Sequence, residues 1–143
     1  MKISIGADHR GYALKQAIQE HFSAIDWLDI GAHDATRSDY PSYAAAVTSN
    51  VAQHRTDAGI LLCGSGIGMS IAANRHKGIY AGLCWSPAVA TVAKEDDGIN
   101  VLIMPADFLQ PAEAYAIINA WLAAEFKSGR YQERLATLDC QGI

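Results

Sequence analysis

Cys63 stands immediately before Gly64-Ser65-Gly66-Ile67-Gly68, and this thiol beside a glycine-rich turn is the most chemically informative stretch of the chain. Gly64, Gly66 and Gly68 let a backbone turn sharply, so that its amides converge on an anionic oxygen at the start of a following helix. A thiol placed there sits in a positive potential that favours thiolate, which suits a general base or a nucleophile. No Lys follows the glycines, so this is not a Walker loop, and it does not follow the first strand as a dinucleotide GxGxxG would. Cys84 and Cys140 lack such a neighbour and are read as small buried apolar residues. Asp8-His9 offer an acid beside an imidazole, able to bind a hydroxyl or orient a proton shuttle, although Asp8 equally suits a helix cap. Arg130 and Arg134 are four apart and so share one helical face; the two guanidinium forks either grip a phosphate or form a solvated face with Glu133. His21, His33, His54 and His76 have no partners at metal-ligand spacing and are read as surface or packing residues.

These groups need a frame that brings loops together. Short apolar runs at residues 3–7, 27–30, 58–63, 80–84 and 100–104 read as strands. Between and after them lie stretches of helical spacing: Leu14, Ile18 and Phe22, a helix from near Pro41, another through Asn74, then 87–94, 111–126 and 131–138. Strands alternating with helices imply βαβ units, giving a doubly wound, Rossmann-like three-layer α/β sandwich around a five-stranded parallel sheet. Ligands in such sheets bind where loops converge at the carboxyl ends of strands. Three segments are expected there: Asp8 to Gly11, Cys63 to Gly68, and Lys94 to Gly98 before the last strand.

Composition narrows the classes. The chain has 143 residues, 50% apolar and 18% charged, which fits a single domain spanning 1–143 with a sizeable core and no internal repeat or linker. A formal charge of -4 leaves no basic field for a nucleic-acid backbone, so an anionic ligand must be caught by local donors. Three cysteines without a CxxC pair argue against a disulfide framework or a structural zinc. The opening residues are read as neither a secretory signal nor a membrane span, and a cytoplasmic setting is expected.

With these residues assembled, the chain resembles the type B ribose-5-phosphate isomerase and galactose-6-phosphate isomerase family. The resemblance rests on Gly6-Ala7-Asp8-His9-Arg10-Gly11 with Leu14-Lys15, on Ser38-Asp39-Tyr40-Pro41-Ser42-Tyr43-Ala44, on Cys63 through Asn74, and on Gly129-Arg130 with Arg134. It implies an aldose-ketose isomerase of a phosphorylated sugar that works through an enediolate without metal or organic cofactor. It also implies a homodimer or dimer of dimers with sites between subunits, and a C-terminal helix at about 129–140 packing on the partner. Under it, Cys63 moves the proton between carbons 1 and 2, and Ser65 with the amides of Gly64 to Gly68 stabilises the oxyanion. Asp8, His9 and Tyr40 contact the sugar or its phosphate, and Arg130 and Arg134 bind phosphate.

Two departures stand out. Where the family usually has a His-Asn pair credited with opening the sugar ring, this chain reads Asp96-Asp97, so Asp96 inherits the catalytic position and Asp97 a substrate-binding one. Where the family has Gly-x-Arg after the following strand, the chain reads Pro105-Ala106-Asp107. Three readings follow: a ribose 5-phosphate/ribulose 5-phosphate isomerase with Asp96 in the place of histidine, an isomerase of an open-chain tetrose 4-phosphate or other sugar phosphate, or a non-catalytic subunit completing a partner's site.

Overall fold

The computed structural model describes residues 1–141. β1 (Lys2–Ala7), β2 (Asp26–Gly31), β3 (Ala58–Cys63), β4 (Ala81–Leu83) and β5 (Val101–Pro105) are all parallel and lie in the order β2-β1-β3-β5-β4. Every residue of β3 is buried, because the strand is central and covered on both faces. That is why it reads as an unbroken apolar run rather than an alternating one.

The helices divide between the two faces. α1 (Tyr12–His21) and α5 (Pro111–Ala123) press Leu14, Ile18, Ile117, Ile118 and Trp121 onto Ile3, Ile5, Ile60, Leu62 and Leu102. α2 (Tyr40–Ala52) and α3 (Ile67–Asn74) cover the other face, where Val47, Val51 and Met69 meet Leu61, Cys63, Val101 and Ile103. Truncating one of the fully buried large ones, such as Ile5, Ile60 or Leu102, to Ala removes about 2–5 kcal/mol. The expected three-layer sandwich is therefore observed. α4 (Pro87–Asp97) joins the first face through Val89, Ala90 and Ala93, and α6 (Arg130–Asp139) packs beside it through Leu135.

Lys15 in α1 is fully buried and donates to both carboxylate oxygens of Asp29 at 2.8 Å. Burial works to raise Asp29, but the bonds from Lys15 and from the Gly31 amide outweigh it and hold the carboxyl below its ordinary value. The Leu14-Lys15 pair of the sequence motif thus packs and ties α1 to β2.

α4 extends to Asp97 instead of ending at Lys94. Ser86 caps its start by accepting from the Val89 amide at 3.3 Å, and Pro87 opens its first turn. This overturns the expectation that residues 94–98 join the other two loops. A crossover helix runs antiparallel to the strands, so the end of α4 leads into β5 at the amino edge of the sheet, opposite the carboxyl ends where the other two loops meet. No helix among the described residues is long and apolar enough to cross a membrane.

Candidate active site

Strand order reverses around β1, with β2 on one side and β3 on the other, so the loops after β1 and β3 diverge and leave a crevice between them. An open cleft of about 340 Å³ occupies it. Cys63, the last residue of β3, lies on its floor at 5% exposure. Its Sγ accepts the Gly66 amide at 3.2 Å, which holds the sulfur at the head of the glycine turn. Gly66 has φ +75, a conformation side-chain-bearing residues rarely adopt, and this turn is what directs its amide back at the sulfur. Ser65 is exposed at the cleft, and its Oγ accepts from the Ile67 amide at 3.2 Å. Two of the glycine segment's amides are therefore used within the segment itself, leaving fewer for an oxyanion than the whole stretch from Gly64 to Gly68 would offer.

Tyr40, the first residue of α2, lays its ring against Gly68, where a Cβ would lie only 2.7 Å from the ring. Glycine at 68 is what lets the phenol share the cleft with Cys63. Asp8 also borders the cleft, but its Oδ1 accepts the amides of Arg10 at 2.9 Å and Gly11 at 3.2 Å. These bonds close the turn before α1 and do not cap the helix, whose N-cap is Gly11 with no side-chain cap bond, so the expected capping role is not seen; what Asp8 fixes is the turn from which the next residues project. His9 is half-buried with Nδ1 3.2 Å from both the nitrogen and the carbonyl oxygen of Ser38, which turns the ring toward the loop before α2.

The third wall comes from the 3₁₀ turn Ala106–Phe108 after β5. The Asp107 amide donates to the Gly64 carbonyl at 3.0 Å, and the Asp107 carboxylate accepts from Arg10 Nη2. Arg10 and Asp107 had no assigned role from sequence, and Phe108, 74% exposed at the rim, was not singled out. The signal for Arg10 was its position two residues beyond Asp8; nothing in the sequence joined it to Asp107.

The remaining site residues gather elsewhere. Asp96 and Asp97 end α4; Asp97 faces a groove with Tyr80, Ala81 and Gly82 at the start of β4. Lys127, also missed from sequence, puts its ammonium 2.8 Å from Asp96 Oδ1 and 3.5 Å from Glu95 Oε2, and the Asp96 bond raises the lysine's pKa. Around Tyr131 the Lys127 nitrogen and the Arg130 and Arg134 guanidinium carbons lie 5.3, 5.0 and 4.8 Å from the ring centre. Among the described residues Glu133 forms no ion pair with them, and the carboxylates paired in this cluster are Asp96 and Glu95, on Lys127. None of Asp96, Asp97, Arg130 and Arg134 borders the Cys63 cleft of its own chain.

The other cysteines differ from Cys63. Cys84 is fully buried just past β4, its Sγ donating to the Gly82 carbonyl at 3.7 Å, and burial pushes its thiol up to about 11. Cys140, expected to be buried, is exposed at the end of α6, where the helix presents only Leu135 to the core. His21 packs as expected, stacked on Tyr115 with ring centres 3.8 Å apart. Among the described residues no group of acidic, histidine or cysteine side chains has the arrangement of a metal site.

The family model described as Ribose/Galactose Isomerase matches residues 3–138. Ribose-5-phosphate isomerase B of Escherichia coli is 38% identical, over 96% of this chain and 93% of its own. A putative sugar phosphate isomerase of Bacillus subtilis is likewise 38% identical, over 96% of this chain and 95% of its own. The solved ribose 5-phosphate isomerase of Thermotoga maritima matches with a TM-score of 0.95 at 36% identity, covering 96% of this chain and 97% of that one. Ribose-5-phosphate isomerase B from Mycoplasma genitalium, solved with bound ribulose-5-phosphate, matches with a TM-score of 0.92 at 35% identity, covering 97% and 94%. With a full-length fold match and a strand-end cysteine on the floor of the switch-point cleft, the chain belongs to the ribose/galactose isomerase family.

Proposed function

We propose that this chain is an aldose-ketose isomerase that interconverts ribose 5-phosphate and ribulose 5-phosphate, with Cys63 as the base. The observation that carries this reading is Cys63 itself: a strand-end thiol on the floor of a cleft, with an amide donated to its sulfur and the Ser65 hydroxyl at the same opening. As thiolate, Cys63 takes the proton from carbon 2 of the open-chain aldose, and the electron pair moves into the carbon 1 carbonyl to give an enediolate. Ser65 and the loop amides not engaged internally donate to the developing oxyanion. Return of the proton to carbon 1, with transfer of the oxygen-2 hydroxyl proton to oxygen 1, yields the ketose. The name of the Escherichia coli relative and the ligand of the Mycoplasma genitalium structure both support the pentose phosphate as substrate.

The reading includes a homodimer in which Asp96, Asp97, Arg130 and Arg134 of one copy complete the cleft of the other. Within one chain these residues lie at the opposite edge of the sheet, and Ile67 and Ile71 on α3, the helix that follows the glycine turn, expose 57% and 53% of their surface. Exposed isoleucines four apart favour a covered face. A second substrate reading, an open-chain tetrose 4-phosphate, is favoured by the Lys127–Asp96 ion pair: a carboxylate already accepting from an ammonium is ill placed to give a proton to a ring oxygen, and a four-carbon sugar needs no ring opening. Turnover of ribose 5-phosphate by the purified chain alone tests the main reading. Absence of turnover on any sugar phosphate would favour a subunit that needs a different partner.

A further inference from the structure

Of the residues that border the Cys63 cleft, Arg10 is the sole cation, and Asp8 and Asp107 are the carboxylates. Asp8 is committed to the amides of Arg10 and Gly11, which fixes where the Arg10 side chain starts. Asp107 is fixed at its backbone by the Gly64 carbonyl and holds Arg10 Nη2 with its carboxylate. Between them lies Gly64: a Cβ there would come within 2.7 Å of Asp107 Oδ2 and 2.8 Å of Arg10 Nε. The two side chains therefore close over bare backbone, next to the catalytic thiol, with the guanidinium drawn down onto the loop.

A guanidinium has five donors in a planar fork, and Asp107 engages one of its nitrogens. The Arg10 side chain is 59% exposed, so the rest of the fork is open to a ligand. An exposed ion pair of this kind adds little to folding stability, which makes a purely structural role a poor account of it. A phosphate matches the fork's geometry, and in a chain of net charge -4 an anion depends on such local donors. The cluster at Arg130 and Arg134 is at the far edge of the same chain, so an anion seated in this cleft by the chain alone has Arg10 to meet. We propose that Arg10 is a substrate-binding residue that grips the phosphate of the sugar phosphate, and that Asp107 is the residue that positions it. This rests on the isomerase reading above.

The test combines ribose 5-phosphate kinetics with calorimetric titration of inorganic phosphate into the purified protein. Arg10→Ala is expected to raise KM and to weaken phosphate binding by a similar factor, about 10- to 100-fold for a lost charge-assisted contact, with kcat changed far less. Asp107→Ala is expected to raise KM severalfold in the native background and to have no effect in the Arg10→Ala background. Asp107→Asn, which keeps an acceptor for the fork, restores native KM. The proposal is overturned if Arg10→Ala leaves phosphate binding unchanged, whether or not KM moves, or if Asp107→Ala acts equally with and without Arg10. The isomerase reading fails separately: a native protein with no turnover on sugar phosphates, whose phosphate titration still depends on Arg10, sinks that reading and keeps the arginine as an anion site.

Discussion

The two edges of the sheet carry different chemistry. At the carboxyl edge, loops after β1, β3 and β5 meet the start of α2, and their polar groups are tied to one another: Asp8 to two amides, the Gly66 amide to Cys63, the Asp107 amide to Gly64. At the amino edge, the end of α4 and the start of α6 present Lys127, Arg130 and Arg134 around one tyrosine ring, with Asp96 paired to the lysine. The first edge has a strand-end thiol and one cation; the second has three cations, one of them paired with carboxylates. A crossover fold does not bring its two edges together in one chain. On the dimeric reading, head-to-edge association of two copies is what makes a complete site.

The comparison breaks first at Cys63. Cys63→Ala is expected to cut turnover by about 10²- to 10⁴-fold, the usual worth of a positioned base, and to abolish exchange of the carbon-bound proton with deuterated solvent. Cys84→Ala, at a thiol sealed in the core, is expected to leave turnover near native. Near-native activity in Cys63→Ala would remove the base from the carboxyl edge altogether.

Next comes the division between copies. Arg134→Ala is expected to raise KM and the inhibition constant for inorganic phosphate together, by about 10- to 100-fold. Mixing Arg134→Ala with Cys63→Ala by joint refolding should recover about a quarter of native activity at substrate well below KM, since half the dimers are hybrids with one intact site. A mixture no more active at that substrate concentration than the average of its parents assigns each site to a single chain.

A smaller effect sharpens the role of Asp96. Asp96→His is expected to raise kcat/KM on ribose 5-phosphate by about tenfold, by supplying a group that titrates near neutrality, and to leave erythrose 4-phosphate unaffected. A native enzyme that strongly prefers ribose 5-phosphate, with no gain from histidine, would show that ring opening already has its acid.

The smallest effect concerns how α6 is held. The Tyr80 hydroxyl donates to Asp139 Oδ2 at 2.6 Å, and this bond raises the phenol from about 10 to about 12. Because the folded value lies above the unfolded one, the stabilisation is full below pH about 10 and is lost as the pH rises through about 12. Hydrogen exchange in α6 should increase over that range, and Tyr80→Phe should remove the dependence with a stability change of about 1 kcal/mol or less.

Most of the fold was legible because strand and helix signals are local. β3 announces itself as an apolar run, and Pro87 and Pro111 mark helix starts that the structure reproduces. The thiol and its turn were legible for the same reason, since Cys63 and its glycines are contiguous and the amide that reaches the sulfur comes from three residues on. Arg10 and Asp107 were not, because they are 97 residues apart and meet only when β1 and β5 flank β3. Lys127 escaped because its partners lie on a helix that was expected to end sooner. The error over residues 94–98 has a similar origin: sequence shows that a segment adjoins a strand, while the direction of the adjoining helix decides the edge.

By itself, then, the sequence determined the alternating elements, the single apolar core, the thiol with its turn, and the pairing of Arg130 with Arg134 on one helical face. Each depends on spacings of a few residues, which backbone geometry converts directly into neighbourhood. Tertiary structure decided the insertion of β5 between β3 and β4, the closure of Arg10 and Asp107 over Gly64, and the separation of Arg130 and Arg134 from Cys63. Those depend on which strands pair and which way each crossover runs, and both are set by burial of the whole core, not by any local run of residues.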